Sequence, residues 1–388
     1  MQGKEFKINR TVLIIFSVTL TAVMGVASIS PVLPSIQEHF HLEKGQVKWL
    51  ISFFSLPGFF LSFFMGILAD RYGRKKILIP SLLTFGIAGF LCSFATTFDS
   101  LVVLRFLQGM GAASLSSINI TLIGDFFSGS ERTKIMGYNA SILSIGTAMY
   151  PSVGGALASL SWNKVFYLPL LAVPLALIIL VYLKPPKIQG HEPFWVYFNK
   201  LWISINKKKV WGLFLTNLLV FVILYGAYLT FFPILLKFEF AAGPFLIGVV
   251  MSVASMTTAI SSSQLGRLKQ KFTAQSLLYF SASMYAASLF VMGILHSWIF
   301  VLLAILFFGV AHGLYIPNIQ TLLVGMATIK ERAGFMSLNS MILRFGQFLG
   351  PILIASFYIN DNLKYVFWGA AGIALLMIVI QKLLVKFD

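Results

Sequence analysis

The sequence predicts an all-α membrane protein, with twelve transmembrane helices arranged as two pseudo-symmetric six-helix bundles. Three observations carry this expectation. The chain of 388 residues is 58% hydrophobic and only 11% charged, against about 25% charged in a soluble domain. Apolar segments of roughly 20 residues, the length that crosses ~30 Å of hydrocarbon, recur from end to end. Residue types also repeat at a constant offset of 200 positions.

The spans fall near 11–36, 46–69, 76–96, 100–124, 133–158 and 163–183 in the first half. In the second half they fall near 210–236, 245–264, 274–295, 298–323, 335–358 and 363–385. The offset pairs Gly66, Leu68 and Arg71 with Gly266, Leu268 and Lys271. It pairs Gly109 and Thr121 with Gly309 and Thr321, and Glu131, Arg132, Met136 and Asn139 with Glu331, Arg332, Met336 and Asn339. Gly146 and Pro151 correspond to Gly346 and Pro351. Equivalent helices keep the same direction, so the halves are parallel repeats, an arrangement that places a binding site near the midplane between them. The expected units are residues 1–183, a linker at 184–209 and residues 210–388. Pro185 and Pro186 stop the sixth helix. The alternation of apolar residues with Asn199, Lys200 and Asn206 suits a short helix in the membrane interface.

The net charge of +17 does not imply a nucleic-acid partner, because it is segregated. With the N-terminus in the cytoplasm, 22 of the 29 basic residues fall in inner segments and five in outer ones. That is the positive-inside asymmetry; it sets orientation, with both termini cytoplasmic in a cell membrane, and touches anionic headgroups. The two remaining basic residues, Arg105 and Arg344, lie inside spans. The single Cys92 excludes a disulfide framework. No hydrolytic triad, phosphate-binding loop or metal cluster appears, so the chain is not expected to be an enzyme or to carry a cofactor or metal. The string "GMGAA" follows no strand, which removes it as a nucleotide fingerprint.

Between the second and third spans stands "GILADRYGRKKIL" (66–78), with Gly66 for close helix approach, Gly73 for a tight turn and Asp70 among Arg71, Arg74, Lys75 and Lys76. This string resembles the signature loop of the major facilitator superfamily. "RFLQGMGAA" (105–113) is similar to the family's helix-4 motif, "GTAMYPSVGG" (146–155) to the helix-5 motif of its exporters, and "GVASISPVLP" (25–34) to their helix-1 ending. The subgroup is the twelve-helix drug/proton antiporter type. The resemblance implies alternating access by two rocking bundles, proton coupling and export of amphipathic small molecules by a monomer. It also implies that Asp70 caps helix 11 in the outward-facing state and that Arg71 or Arg74 pairs with Asp125. A carboxylate at a helix N-terminus is worth ~0.3–1 kcal/mol, and a contact made in one conformation alone biases a two-state equilibrium. The second half has Gln270 and Thr273 where the first has Asp70 and Gly73, so the latch is single. In helix 5, Tyr150 stands before Pro151 where exporters usually have Gly, ahead of Gly154 and Gly155. The Gly-Pro pair appears instead as Gly350-Pro351. Such glycines serve either transport direction or helix packing.

At 100° per residue, Ser337, Ser340, Arg344, Gln347 and Pro351 share one stripe of helix 11, as do Arg105, Gln108, Ser116 and Asn119 in helix 4. His312 and Tyr315 in helix 10 and Tyr228 in helix 7 extend the polar set. Polar stripes in membrane helices face protein or water. By resemblance these helices border the central cavity, which would bring both arginines into one aqueous space. Arg105 has a structural alternative, bonding helix carbonyls. His312 has one as a packing residue, and Asn139 and Asn339 read as interhelical contacts. None of the twelve carboxylates lies at mid-span. Such a cavity repels cations and favours anionic or zwitterionic amphiphiles, whose carboxylate or phosphate an arginine fork can read. Two alternatives to proton-coupled export stay open: an anion-selective carrier of metabolites or lipid-like amphiphiles, and a membrane sensor that does not transport.

Overall fold

A computed structural model describes residues 9–43, 45–184, 207–326, 332–360 and 362–385. Among the described residues twelve helices follow one another in the order expected. In the first half they are α1 (Arg10–His39), α2 (Lys48–Tyr72), α3 (Arg74–Phe94), α4 (Phe98–Phe126), α5 (Gly129–Leu160) and α6 (Trp162–Tyr182). In the second half they are α7 (Lys208–Phe240), α8 (Pro244–Leu268), α9 (Ala274–Met292), α10 (Trp298–Met326), α11 (Arg332–Ala355) and α12 (Leu363–Leu384). Among the described residues nine of these are long and apolar enough to cross a membrane. The interfacial helix expected at 184–209 falls on a segment of which 185–206 lie outside the described residues.

Local chemistry sets the ends. Asn9 caps α1 by accepting from the Val12 amide at 2.9 Å. Thr97 and Ser100 form a reciprocal capping box at the start of α4. Between α2 and α3, Gly73 adopts φ +100°, a conformation that a side chain would strain.

The repeat is visible in the packing. In the first half α4 packs on α2 and α3, α3 on α6, and α1 on α5. In the second, α10 packs on α8 and α9, α9 on α12, and α7 on α11. The halves meet along two equivalent seams, α5 against α8 and α11 against α2. Asn139 and Asn339, paired by the offset, do equivalent work. Asn139 accepts from Thr19 (2.5 Å), tying α5 to α1, and Asn339 accepts from Asn217 (2.7 Å), tying α11 to α7. Away from water such bonds hold one helix rotation, because an orphaned amide in hydrocarbon is costly.

The polar contacts joining the bundles among the described residues lie toward the end where α1 passes into α2. Ser30 Oγ donates to the Leu229 carbonyl, Ser52 Oγ donates to the Phe348 carbonyl at 3.0 Å, and Ser152 and Ser252 share a bond at 2.7 Å. Pro233 explains why the Leu229 carbonyl is available, since proline supplies no i→i−4 donor to it. Lys237 pairs with Glu38 at 3.0 Å at the same end. Ser52 and Ser252 are themselves equivalent under the 200-residue offset. Each seam therefore carries one of the two repeat-related serines.

Candidate functional site

Arg105 departs from expectation. It has no exposed surface and sits inside the first bundle, not on the cavity. Its Nε donates to the Leu50 carbonyl (3.3 Å), its Nη1 to Gln108 Oε1 (2.7 Å), and its guanidinium lies over the Phe54 ring at 4.2 Å. Gly109 makes this possible, because a Cβ there would meet the Phe54 backbone carbon at 2.9 Å. The missing side chain lets α2 approach close enough to offer a carbonyl and a ring to the buried cation. Gln108 is equally buried. Arg105→Ala is therefore expected to lower stability by about 2–5 kcal/mol through the void and the stranded Gln108 and Leu50 acceptors. Arg105→Met should lose less, since it fills the volume. Thermal unfolding in detergent compares the two; unchanged melting with altered ligand binding would return Arg105 to the cavity.

Asn119 is also internal, donating to Thr19 Oγ1 at 2.6 Å. In the second bundle, Tyr228 is buried, donates to the Met251 carbonyl at 3.2 Å and stacks on Phe308 at 4.3 Å. Tyr315 is fully buried and accepts from Gln381 Nε2 at 2.8 Å. His312 is half-buried, shares a 2.6 Å hydrogen bond with Tyr285 through Nδ1, and lies parallel to Phe308. Helical spacing groups such side chains on one face of their own helix. It could not say that Tyr285 and Gln381, on α9 and α12, were waiting to bond them.

On α11 the stripe does reach accessible space. Ser340 is exposed, and Arg344 and Gln347 are half-buried near the helix midpoint. The side chain of Ser337 lies outside the described residues, and Pro351 is buried. Ser116, in the middle of α4, is also exposed. Arg344 crosses the α2–α11 seam. A Cβ on Gly58 would fall 2.7 Å from Arg344 Cδ and 3.0 Å from its Nη1, so the side chain lies flat on the backbone of α2. Tyr225 of α7 is in electrostatic reach of the guanidinium. It belongs to a π-helical segment, Ile223–Phe231, a backbone form frequent at functional sites. Gly58 and Tyr225 were missed from sequence. The Pro57-Gly58 pair within an apolar span was the one available signal.

At the end where α2 meets α3, Arg74 Nε and Asp125 Oδ2 form an ion pair at 3.1 Å, both largely shielded. Arg71 is exposed, with its guanidinium over Tyr72 at 5.8 Å. Of the two arginines considered for Asp125, Arg74 is the one that reaches it. The Asp70 side chain and the surroundings of Gly66 lie outside the described residues.

At the opposite end the helix-5 glycines stand at close helix contacts. Gly154 abuts Ser28 of α1 within the bundle, whereas Gly155 abuts Pro244 and Phe245 of α8 across the seam. Gly248 of α8 abuts Pro151 and Ser152 in return. Gly146 packs on Leu20, Tyr150 is buried, and Gly350 packs on Val222 and Gly226 of α7.

The sequence profile of the Major Facilitator Superfamily matches residues 15–322 and, in a second match, 226–387. Multidrug resistance protein 2 of Bacillus subtilis (strain 168) is 25% identical over 392 residues, covering 98% of each chain. Quinolone resistance protein NorA of Staphylococcus aureus is 25% identical over 386 residues, covering 96% of each. Among solved structures, a bacterial homologue of the human lysosomal transporter Spinster, inward-facing and unoccupied, superimposes with a TM-score of 0.77 at 17% identity, over 99% of this chain and 96% of that one. The profile spans both bundles and the superposition carries the same twelve-helix plan, so this chain belongs to the Major Facilitator Superfamily and is a multi-pass membrane transporter.

Proposed function

We propose that the chain is a proton-coupled exporter of amphipathic small molecules, working as a monomer in the cell membrane by alternating access between units 1–183 and 210–388 joined by the 184–209 linker. The observation that carries this reading is the one-sided closure. The bundles hold one another through Ser30, Ser52, Ser152–Ser252 and Glu38–Lys237 at one end, while Ser116 and Ser340, deeper along their helices, stay exposed. With the basic α2–α3 loop in the cytoplasm, this is a state sealed outside and open inside. The names of the relatives, multidrug and quinolone resistance proteins, support a drug-like amphiphile as cargo.

Proton coupling has few candidate carriers. No acid lies at mid-span, so the proton travels on the substrate, on acids at the cavity ends such as Glu38, Asp70 or Asp125, or on His312. His312 already spends Nδ1 on Tyr285. Protonating Glu38 removes its attraction to Lys237. That pair is exposed and worth at most about 1 kcal/mol, so it trims the equilibrium and does not drive it. Asp70, by the family's pattern, latches the opposite face to α11.

Reconstitution into vesicles with an imposed pH gradient tests the reading. Gradient-driven movement of a fluorescent amphiphile, stopped by a protonophore, is expected. Movement down the amphiphile's own gradient with no response to pH would replace proton antiport with a passive carrier. Binding without any movement would favour a sensor.

A further inference from the structure

The geometry points to Arg344 as the residue that selects an anionic headgroup (a carboxylate, sulfonate or phosphate monoester) on the amphiphile, at the seam between the two bundles. This deepens the export reading and rests on it for the amphiphile itself. Four observations converge.

Arg344 has no carboxylate within ion-pair distance among the described residues, where the ion pairs formed are Arg74–Asp125 and Lys237–Glu38. A guanidinium kept at the middle of a membrane helix without a protein counter-charge is costly, and an anionic ligand offsets that cost. Its stem is seated: the absent side chain of Gly58 leaves a groove in α2 that Cδ, Nε and Nη1 occupy. Arg105, by contrast, spends its Nε and Nη1 inside its own bundle.

The surroundings suit a two-part ligand. Tyr225, Gln347 and Ser340 offer polar groups beside or along the stripe. Phe59 and Phe345, one from each bundle and next in sequence to Gly58 and Arg344, face each other at 4.9 Å. A headgroup on Arg344 thus has an apolar wall beside it for a lipophilic body. Finally, the charge stands alone in the repeat. The offset places Ser144 opposite Arg344, so the α5–α8 seam has no matching cation and the site has one sign and one polarity.

Because Arg344 comes from one bundle and Gly58 from the other, rocking must separate them. The guanidinium is therefore held in one geometry in the state sealed at this seam and released in the other, which makes its affinity for an anion depend on the state. A planar fork matters here. Lysine presents a point charge that cannot accept a carboxylate in two parallel bonds.

The test is equilibrium binding, without any gradient, to the full chain in nanodiscs. The probes are 11-(dansylamino)undecanoate and its primary amide, with partition into empty nanodiscs subtracted. Wild type is expected to prefer the carboxylate by roughly 10- to 100-fold, the range of a charge-assisted hydrogen bond. Arg344→Gln should erase the preference by weakening the carboxylate alone, and Arg344→Lys should keep part of it. Gly58→Ala, which displaces the guanidinium while leaving its charge, should weaken the carboxylate several-fold and the amide little. Equal affinities in wild type, or equal losses of both probes in Arg344→Gln, would overturn the assignment. Should Arg344→Gln fail to reconstitute, the probe ratio in Gly58→Ala and Arg344→Lys decides; a ratio unchanged from wild type in both would overturn it. A preference for carboxylate in a chain that moves neither probe across vesicles would leave this site standing and remove the export reading.

Discussion

Gly248→Leu is expected to abolish transport while leaving both bundles folded. Gly248 lies one turn into α8, and a Cβ there would sit 2.8 Å from the Pro151 carbonyl carbon and 3.1 Å from Ser152 Cα on α5. Those are backbone atoms and cannot rotate aside. Overpacking costs about 1–3 kcal/mol even where side chains yield. Here a helix must retreat, so the sealed state should lose more than about 3 kcal/mol, a shift of more than about 100-fold in the two-state ratio. In the proposed cycle the strain is relieved in the other state, because α5 and α8 belong to different bundles that rocking would part. Spin labels at Glu43→Cys and Glu239→Cys, with Cys92→Ser, report the separation at this end. Longer distances with normal melting are expected. An unchanged distribution together with wild-type transport would show that this crossing is not a gate.

Gly109→Leu, the same change elsewhere, should instead prevent folding. Its Cβ would meet the Phe54 backbone carbon at 2.9 Å and Cα at 3.1 Å, and Phe54 lies on α2 of the same bundle. In the proposed rocking of rigid bundles no step separates α2 from α4, so no state is expected to escape the clash. The displaced α2 also takes with it the Leu50 carbonyl and the Phe54 ring that hold buried Arg105. A loss beyond about 3 kcal/mol is expected, read as aggregation or an absent monodisperse peak in size-exclusion chromatography. Gly372→Leu is the control. Nothing lies within 4 Å of a Cβ at that position, and losing a helical glycine gains about 1 kcal/mol. A folded, active Gly109→Leu would mean that the α2–α4 contact is as mobile as the seam.

These two glycines show how far a sequence can be read. Both stand out as small residues in membrane helices, and the family resemblance attaches motifs to the helices around them. One lies in the seam between the bundles and the other inside a bundle. That distinction depends on partners 55 residues away for Gly109 and 97 for Gly248.

The two arginines make the same point from charge. Each is a lone cation on a polar stripe, and helical spacing could not separate them. Arg105 turned inward because α2 supplies an acceptor and a ring. Arg344 stayed at the seam because Gly58 supplies a groove and nothing among the described residues supplies a carboxylate. Tyr228, Tyr315 and His312 followed Arg105, drawn into bonds with Met251, Gln381 and Tyr285.

The sequence by itself determined the number, length and order of the membrane helices, the equivalence of the two halves and the segregation of basic loops. Each of these is a property of local composition or of one constant offset, and the membrane enforces them directly through the cost of unpaired backbone and misplaced charge. It also determined the pairing of Asn139 with Asn339, whose equivalent contacts with α1 and α7 the repeat implies. The tertiary structure alone decided which stripe stays exposed, at which end the bundles bond to one another, and where α7 loosens into a π-helical turn. Periodicity fixes the direction of a side chain only relative to its own helix axis. The rotation of that axis is set by backbone approach at glycines and by hydrogen bonds to helices distant in the chain, and those exist only once the bundles have packed.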